Sequence, residues 1–370
     1  MKKFTRVFNL LVVALLFVGV MATGSTATAQ MPDNISSRDS GLQSLAAPVD
    51  YWTPERLAAA IPYPEPVVDA KVASRATTVL GTPGKVEGGA PTVDASGLAV
   101  QLMPAGKAPE GSEVIAQGYS ANKAPYTRFE VFTAASYPYT YGVYPYITVG
   151  KLFFTQYGTD YVCSASSIGN YAIWTAGHCV HAGNNSSAGW SYNTVFVPAY
   201  IDGYAPYGIW YGSYSWVKTK WYMKGIKRGL DQDMGGIVLY ANASSGYPIS
   251  SVVGWLGFAW NWSPSKMAWF DIGYPQAYPF DGYRQHVCAS SYAYRGYPGG
   301  YASPTVGIGC DLTGGSSGGP WIWNFGPSGY GNYVNGHNSY RRTVYTKEMF
   351  SPYFNNNAYS LWSALTSSVP

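Results

Sequence analysis

The chain is 370 residues long, 47% hydrophobic and only 11% charged, with a formal net charge of +4. That balance, without any run of lysines or arginines, argues against nucleic acid or an anionic membrane as partner. The 34 tyrosines and 13 tryptophans are the main oddity; they fit core and strand positions, or an aromatic surface that binds sugars or extended chains.

In chain order, Lys2, Lys3 and Arg6 precede an apolar run from Leu10 to Val20, too short to span a bilayer. Ala27-Thr28-Ala29 supplies the small residues of a cleavage site ahead of Gln30. Residues 1–29 are therefore expected to be a secretory signal peptide. No later stretch is long and apolar enough for a transmembrane helix, so we expect a secreted, extracellular product with no membrane partner after signal cleavage. Residues 30–135 are rich in Ala, Pro, Gly, Ser and Thr and hold no cysteine. They are expected to be a pro-segment, with a disordered spacer as the alternative. Within them Thr53-Pro54-Glu55-Arg56-Leu57-Ala58-Ala59-Ala60 predicts a short helix, Thr53 as N-cap and Pro54 at its first position, ended by Pro62. Residues 80–89 and 103–111 read as linker.

From about Tyr137 aromatics and turn dipeptides take over. Tyr-Pro recurs at Tyr137, Tyr144, Tyr247, Tyr274, Tyr278 and Tyr297 with no fixed period, so the chain is not a repeat array. Short apolar runs at 147–155, 161–168, 172–176, 194–200, 209–217, 236–240, 252–258, 267–272, 286–290, 321–324 and 333–337 alternate with Gly, Pro and Asn. Many short strands at this spacing indicate an all-β barrel or sandwich. Ala358, Leu361, Trp362 and Leu365 recur at helical spacing and predict a C-terminal helix.

Two stretches carry chemistry. In Thr313-Gly314-Gly315-Ser316-Ser317-Gly318-Gly319-Pro320-Trp321, four glycines lie around two serines. Glycines permit unusual dihedrals, and such a loop can aim a serine hydroxyl and two backbone N–H groups at one point, as an oxyanion hole requires. A glycine-rich surface loop is the bland alternative. Upstream lies Trp174-Thr175-Ala176-Gly177-His178-Cys179. Export permits disulfides, and Cys163, Cys179, Cys288 and Cys310 allow three pairings. A zinc site is disfavoured because no Cys-x-x-Cys pair exists.

Together the two stretches resemble the trypsin/chymotrypsin-like serine proteases, with a Thr-Ala-(Ala/Gly)-His-Cys segment around the base and Gly-x-Ser-Gly-Gly-Pro around the nucleophile. Cys310-Asp311-x-x-Gly314-Gly315-x-Ser317-Gly318 and Tyr144-Pro145-Tyr146…Gly150-Lys151-Leu152 look most like the bacterial glutamyl endopeptidases. The resemblance covers about residues 140–365. It implies an all-β fold of two six-stranded antiparallel barrels over 136–370, with the C-terminal helix packed on the second. It also implies sequential disulfides, Cys163–Cys179 and Cys288–Cys310, each closing a loop of about 20 residues worth roughly 3 kcal/mol.

The resemblance assigns Ser317 as nucleophile, with the amides of Gly315 and Ser317 as oxyanion donors. Ser316 stands where trypsins carry the aspartate that pairs with their new N-terminus, so activation by that ion pair is not expected. His178 is the expected base, His181 a solvated neighbour, and His286 has no assigned role. The acid should fall between base and nucleophile. Asp202, Asp231, Asp233, Asp271, Asp281 and Asp311 qualify; Asp233 fits best, just ahead of an apolar strand, with Asp231 as near rival. The expected product is a monomeric serine endopeptidase acting on proteins or peptides through an acyl-enzyme, with no cofactor or metal. The alternative from another class is a non-catalytic aromatic-rich binding protein.

For specificity, glutamyl endopeptidases place a pocket histidine on the strand that matches His337, which would contact a substrate glutamate. Leu312 stands where that family usually has a hydroxyl residue. Asp311, six residues before Ser317, has the offset of the aspartate that selects Lys or Arg in trypsins, and keeps that specificity as an alternative. Of seven Glu in the chain, only Glu348 follows residue 137, whereas Asp shows no such skew. A glutamate-cutting enzyme resists self-digestion by losing Glu from its mature domain. Phe129-Glu130-Val131 is then a cut that the enzyme could make itself.

Overall fold

In the computed structural model the described residues are 34–39, 50–73, 81–95, 97–103, 115–119, 125–131, 142–298, 304–327, 329–343 and 347–370. The expected signal peptide, most of the 103–111 linker and the expected boundary near 135 lie outside them.

Six antiparallel strands close into a first barrel. Trp210–Lys218 pairs with Tyr192–Pro198, which pairs with Val149–Gln156, and the order continues through Thr159–Gly169, Ala172–Ala176 and Met234–Leu239. The last strand pairs back onto Trp210–Lys218 and shuts the barrel. Strand periodicity decides which side chains go inside. Along Val149–Gln156, Val149 and Phe153 join one core cluster while Leu152 and Phe154 join another. Both faces are covered, so all eight residues are buried.

A second sheet runs Glu348–Pro352, Thr305–Gly309, His286–Pro298, Ala268–Gly273, Pro320–Trp323, Tyr333–His337 and Gly257–Trp260. Its pairings are antiparallel except that Gly257–Trp260 lies parallel to Tyr333–His337. The C-terminal helix Asn356–Ser367 buries Ala358, Leu361 and Leu365, with Asn355 capping its start. Trp362 stacks on Phe258 of the second sheet. The disulfides join Cys163 to Cys179 and Cys288 to Cys310. Among the described residues no helix is long and apolar enough to cross a membrane.

The amino-terminal part is more ordered than its composition suggested. The helix Pro54–Ala59 forms with Thr53 accepting from the Arg56 amide. Strands Ile35–Asp39, Ala70–Ala73 and Pro125–Glu130 each pair antiparallel with a strand of the two main sheets. The 80–89 stretch read as linker contributes Gly84–Val86, paired with Gly257–Trp260. Backbone ladder bonds recruit these segments, and Ile35, Trp52, Leu57, Leu102 and Met103 of the amino-terminal part are buried in the main core. Glu130, the expected self-cut, is buried in one of these strands and bound to Arg284 at 2.7 Å, so cutting there first requires that strand to open.

One expected run needs correction, and one helix had no sequence signal. The 252–258 run divides into a helix, Ile249–Val253, and a strand beginning at Gly257, with Gly254 at φ 74 between them. A short continuous apolar run does not distinguish helix from strand. The helix Thr219–Arg228 buries only Trp221 and Gly225 and kinks at Gly225, so it has no regular apolar stripe to read. The tryptophans are mainly core: Trp174, Trp210, Trp221, Trp269 and Trp321 are fully buried. That removes the tryptophan part of the support for an aromatic binding surface.

His286 lies under Phe280 in this second sheet, close to Arg128 and Arg284. Burial, then the two guanidinium charges, push it down to about 3. The unfolded chain therefore takes up a proton between about pH 6.5 and 3 that the folded chain refuses, and stability from this group is lost as pH falls through that window. Relative to His286→Phe, the wild-type chain should lose on the order of 2 kcal/mol between pH 7 and pH 5 in urea unfolding, at about 1.4 kcal/mol per pH unit below 6.5. Parallel pH profiles would contradict it.

Candidate active site

The site lies where the barrels meet. Trp174, from the first, packs on Phe258 and Phe354 of the second half, and its indole donates to His337 Nδ1 at 3.1 Å. Two residues beyond the strand Ala172–Ala176, His178 sits in the one-turn helix Gly177–Val180. Cys179, next in the chain, is tied to Cys163, so the disulfide fixes the turn that carries the imidazole.

Asp233 stands immediately before the strand Met234–Leu239. Its carboxylate accepts three hydrogen bonds of 2.7 Å, from His178 N, His178 Nδ1 and Ser339 Oγ. Burial pushes this acid up, but the His178 charge and these bonds outweigh it and hold it below the usual carboxylate range. A charge with no exposed surface is tolerable because donors surround it. The rival Asp231 is elsewhere: both its oxygens bind Lys220 Nζ at 2.7 Å. Asp202 pairs with Arg284, Asp271 accepts from Asn338, Asp281 caps Tyr283 N, and Asp311 pairs with Arg128. Among these acids, Asp233 is the one on the His178 ring.

The serine loop is pressed against the histidine loop. Gly318 has φ 79, and a Cβ there would lie 2.0 Å from Thr175 Oγ1 and 2.7 Å from Ala176 N. Only glycine permits that approach, which brings Ser317 alongside the turn that carries His178. The Ser317 carbonyl accepts from Ser164 N at 2.8 Å. Gly315 has φ 97, and a Cβ there would lie 2.7 Å from Tyr274 O. Ser316 Oγ is turned away and donates to Thr313 O at 2.8 Å. Of the two adjacent serines, Ser317 therefore keeps its hydroxyl uncommitted: among the described residues, neither Ser317 Oγ nor His178 Nε2 has a hydrogen-bond partner. Such bonds are often long until substrate arrives.

Residues 61–68 cross this site. Ile61–Pro62 pairs parallel with Tyr161 and Val162, and Tyr63 N donates to Val162 O at 3.0 Å. The Tyr63 ring stacks on His178, centroids 5.4 Å apart. Glu65 Oε2 meets Arg341 Nε at 2.5 Å, both side chains under a tenth exposed. Beyond it, Arg341 N donates to Pro66 O at 2.9 Å and Val67–Val68 pairs parallel with Arg341–Arg342. Sequence reasoning missed this segment, whose one local signal is the Pro-x-Pro-x-Pro spacing of Pro62, Pro64 and Pro66.

Two histidine expectations change. His337 does not face a substrate pocket: it is fully buried, with Nδ1 accepting from Trp174 and Nε2 bonded to Asp233 O at 2.7 Å. Burial holds it down to about 4, so it is a neutral support under Asp233. Strand alternation puts it on that face and turns its neighbour Asn338 to the other, towards Asp271. His181 is not solvated either. It is buried between Trp190 and Tyr222 and bonded to Ser186 O and Gly183 N. Leu312 is fully buried beside the Cys288–Cys310 bridge.

The protease Anisep from Arthrobacter nicotinovorans is 34% identical, with the match covering 60% of this chain and 96% of Anisep at a TM-score of 0.53. The thermostable serine protease AL20 from an extremophilic microorganism is 32% identical over 60% of this chain and 98% of its own, TM-score 0.52. A Glu endopeptidase solved with MPD shares the fold at 16% identity, covering 65% of this chain and 97% of its own, TM-score 0.50. No family model matches the sequence, and no curated protein matches it. The chain belongs to the trypsin/chymotrypsin-like serine proteases, and it is a serine endopeptidase whose substrates are proteins or peptides.

With Ser316 bonded into its own turn, the two serines should separate cleanly. Ser317→Ala should lower turnover by about 10⁴- to 10⁶-fold, and Ser316→Ala should retain much of the activity. An inactive Ser316 variant beside an active Ser317 variant would overturn the assignment.

Proposed function

We propose that this chain is a secreted endopeptidase, made in latent form, that cleaves after glutamate through an acyl-enzyme on Ser317. The observation that carries the chemistry is the buried Asp233–His178 pair beside the Ser317 loop. A serine hydroxyl is a weak nucleophile until a base takes its proton. His178 Nε2 takes that proton as Ser317 Oγ attacks the scissile carbonyl. Asp233 fixes the tautomer through Nδ1 and stabilises the imidazolium. The amides of Gly315 and Ser317 receive the oxyanion. His178 then protonates the leaving amine, and water, deprotonated by the same imidazole, releases the acid. No cofactor enters these steps.

Residues 30–135 act as the pro-segment of this reading and 136–370 as the enzyme. Latency follows from Tyr63, whose ring covers the imidazole that must reach substrate. The two disulfides and the expected signal peptide support secretion. The Glu preference rests on the near-absence of Glu after residue 137, since His337 is engaged elsewhere. The Lys/Arg alternative stays in the test, because the partner of Asp311 at 3.0 Å is Arg128, within the proposed pro-segment.

A peptide library cleaved by enzyme recovered from the full-length chain should give P1 Glu ahead of Gln, Lys, Arg and Leu by on the order of 100-fold, the usual worth of a buried charge contact. A preference for Lys, Arg or a large apolar residue would refute the Glu assignment. Intact mass of the active secreted enzyme should show residues 30–100 removed; an active product that retains them would sink the pro-segment reading.

A further inference from the structure

We infer that Arg341 is the specificity-determining residue of this protease: it receives an acidic side chain of the substrate, and Glu65 occupies that place in the full-length chain. The inference rests on the Glu preference proposed above and names the group responsible for it.

Three observations place Arg341 beside the cleft. Two residues before it, Ser339 donates to Asp233 Oδ2. Its own amide binds Pro66 O, in the segment whose Tyr63 covers His178. The Tyr63 carbonyl in turn lies 3.2 Å from a Cβ built on Gly314, in the serine loop. One segment of chain thus touches the histidine, the serine loop and Arg341. Within it, the Glu65 side chain goes to the guanidinium.

Arg341 is the main group that offsets the burial penalty on an acid there. The Glu65 and Arg341 side chains are 8% and 9% exposed. Burial holds the Glu65 carboxyl above its ordinary value, and Arg341, then His178, offset part of that rise. Asp271, also buried, is held well above the usual carboxylate range, first by burial and further by Glu65. Arginine is suited to this task because it stays charged when buried and matches a carboxylate in plane. When residues 61–68 leave, the guanidinium loses the Glu65 carboxylate, and a substrate carboxylate restores that contact.

Glu65 also carries the mark of an occupant that is not itself cut. The residue after it is Pro66, whose nitrogen is closed into a ring and has no hydrogen. The ring also restricts the backbone of the residue before it, which disfavours seating the Glu65–Pro66 bond for attack. A buried acid followed by proline can hold the site without being consumed.

The test uses enzyme recovered from the full-length chain and paired peptides that differ only in Glu or Gln at the selected position. Arg341→Gln should lower the Glu-to-Gln ratio of kcat/KM by about 30-fold or more, since truncating one partner of a buried charge pair costs at least that. Arg341→Lys should restore part of the ratio. A purely structural role would lower both substrates together and leave the ratio in place. If wild type favours Glu and Arg341→Gln keeps the same ratio, the inference falls while the Glu preference stands. If wild type shows no acidic preference, the Glu reading fails and the inference with it. Should Arg341→Gln not be secreted, the pair is read from its other side. A synthetic peptide of residues 58–70 should inhibit wild-type enzyme at least tenfold better than its Glu65→Gln counterpart, and equal inhibition would overturn the inference.

Discussion

A carboxylate with no exposed surface governs how this molecule is put together. Asp233 could not remain charged in the interior unless donors converged on it, because desolvation of an unpaired carboxylate costs several kcal/mol. Those donors come from separate parts of the chain: His178 from the first barrel and Ser339 from the segment after the second sheet's Tyr333–His337 strand. His337, on that strand, holds the Asp233 carbonyl from beneath. The carboxylate is satisfied only when both halves are in register. The same register brings the serine loop against the histidine turn through Gly318 and Thr175. Folding of the two halves and assembly of the chemistry are one event.

The amino-terminal part adds a second constraint on the same cleft. Its strands extend both main sheets, and between them the 61–68 stretch lies over the imidazole and reaches Arg341. That stretch is held by backbone ladder bonds, one buried ion pair and the packing of Tyr63 on Phe154, Tyr161 and His178. Such a segment is stable while covalently attached, where its effective concentration is high, and weaker once cut free. On the proposed pro-segment reading, latency and release need no rearrangement of the Asp233 network.

Much of this was legible in the sequence. The glycines around Ser317 and the Thr-Ala-Gly-His-Cys segment each have one physical use in combination, and strand periodicity located nine of the eleven expected runs as strands of the barrels close to their predicted limits. The remaining readings failed for identifiable reasons. A continuous apolar run at 252–258 held both a helix and a strand. His337 lay one residue out of phase with the substrate side, and in a strand one residue reverses the face. Glu65 and Arg341 are 276 residues apart in the sequence, and no local pattern joins them. Their pairing follows from the path of a segment whose composition reads as spacer.

The central claim is that Ser317, alone among the serines, is the nucleophile and that residues 61–68 cover its base, His178. Labelling with a fluorophosphonate, followed by peptide mass mapping, tests both at once. The account predicts one equivalent on Ser317 in the processed enzyme, and much slower labelling of the intact full-length chain. Modification of Ser316, or equal labelling rates for the two forms, would contradict it.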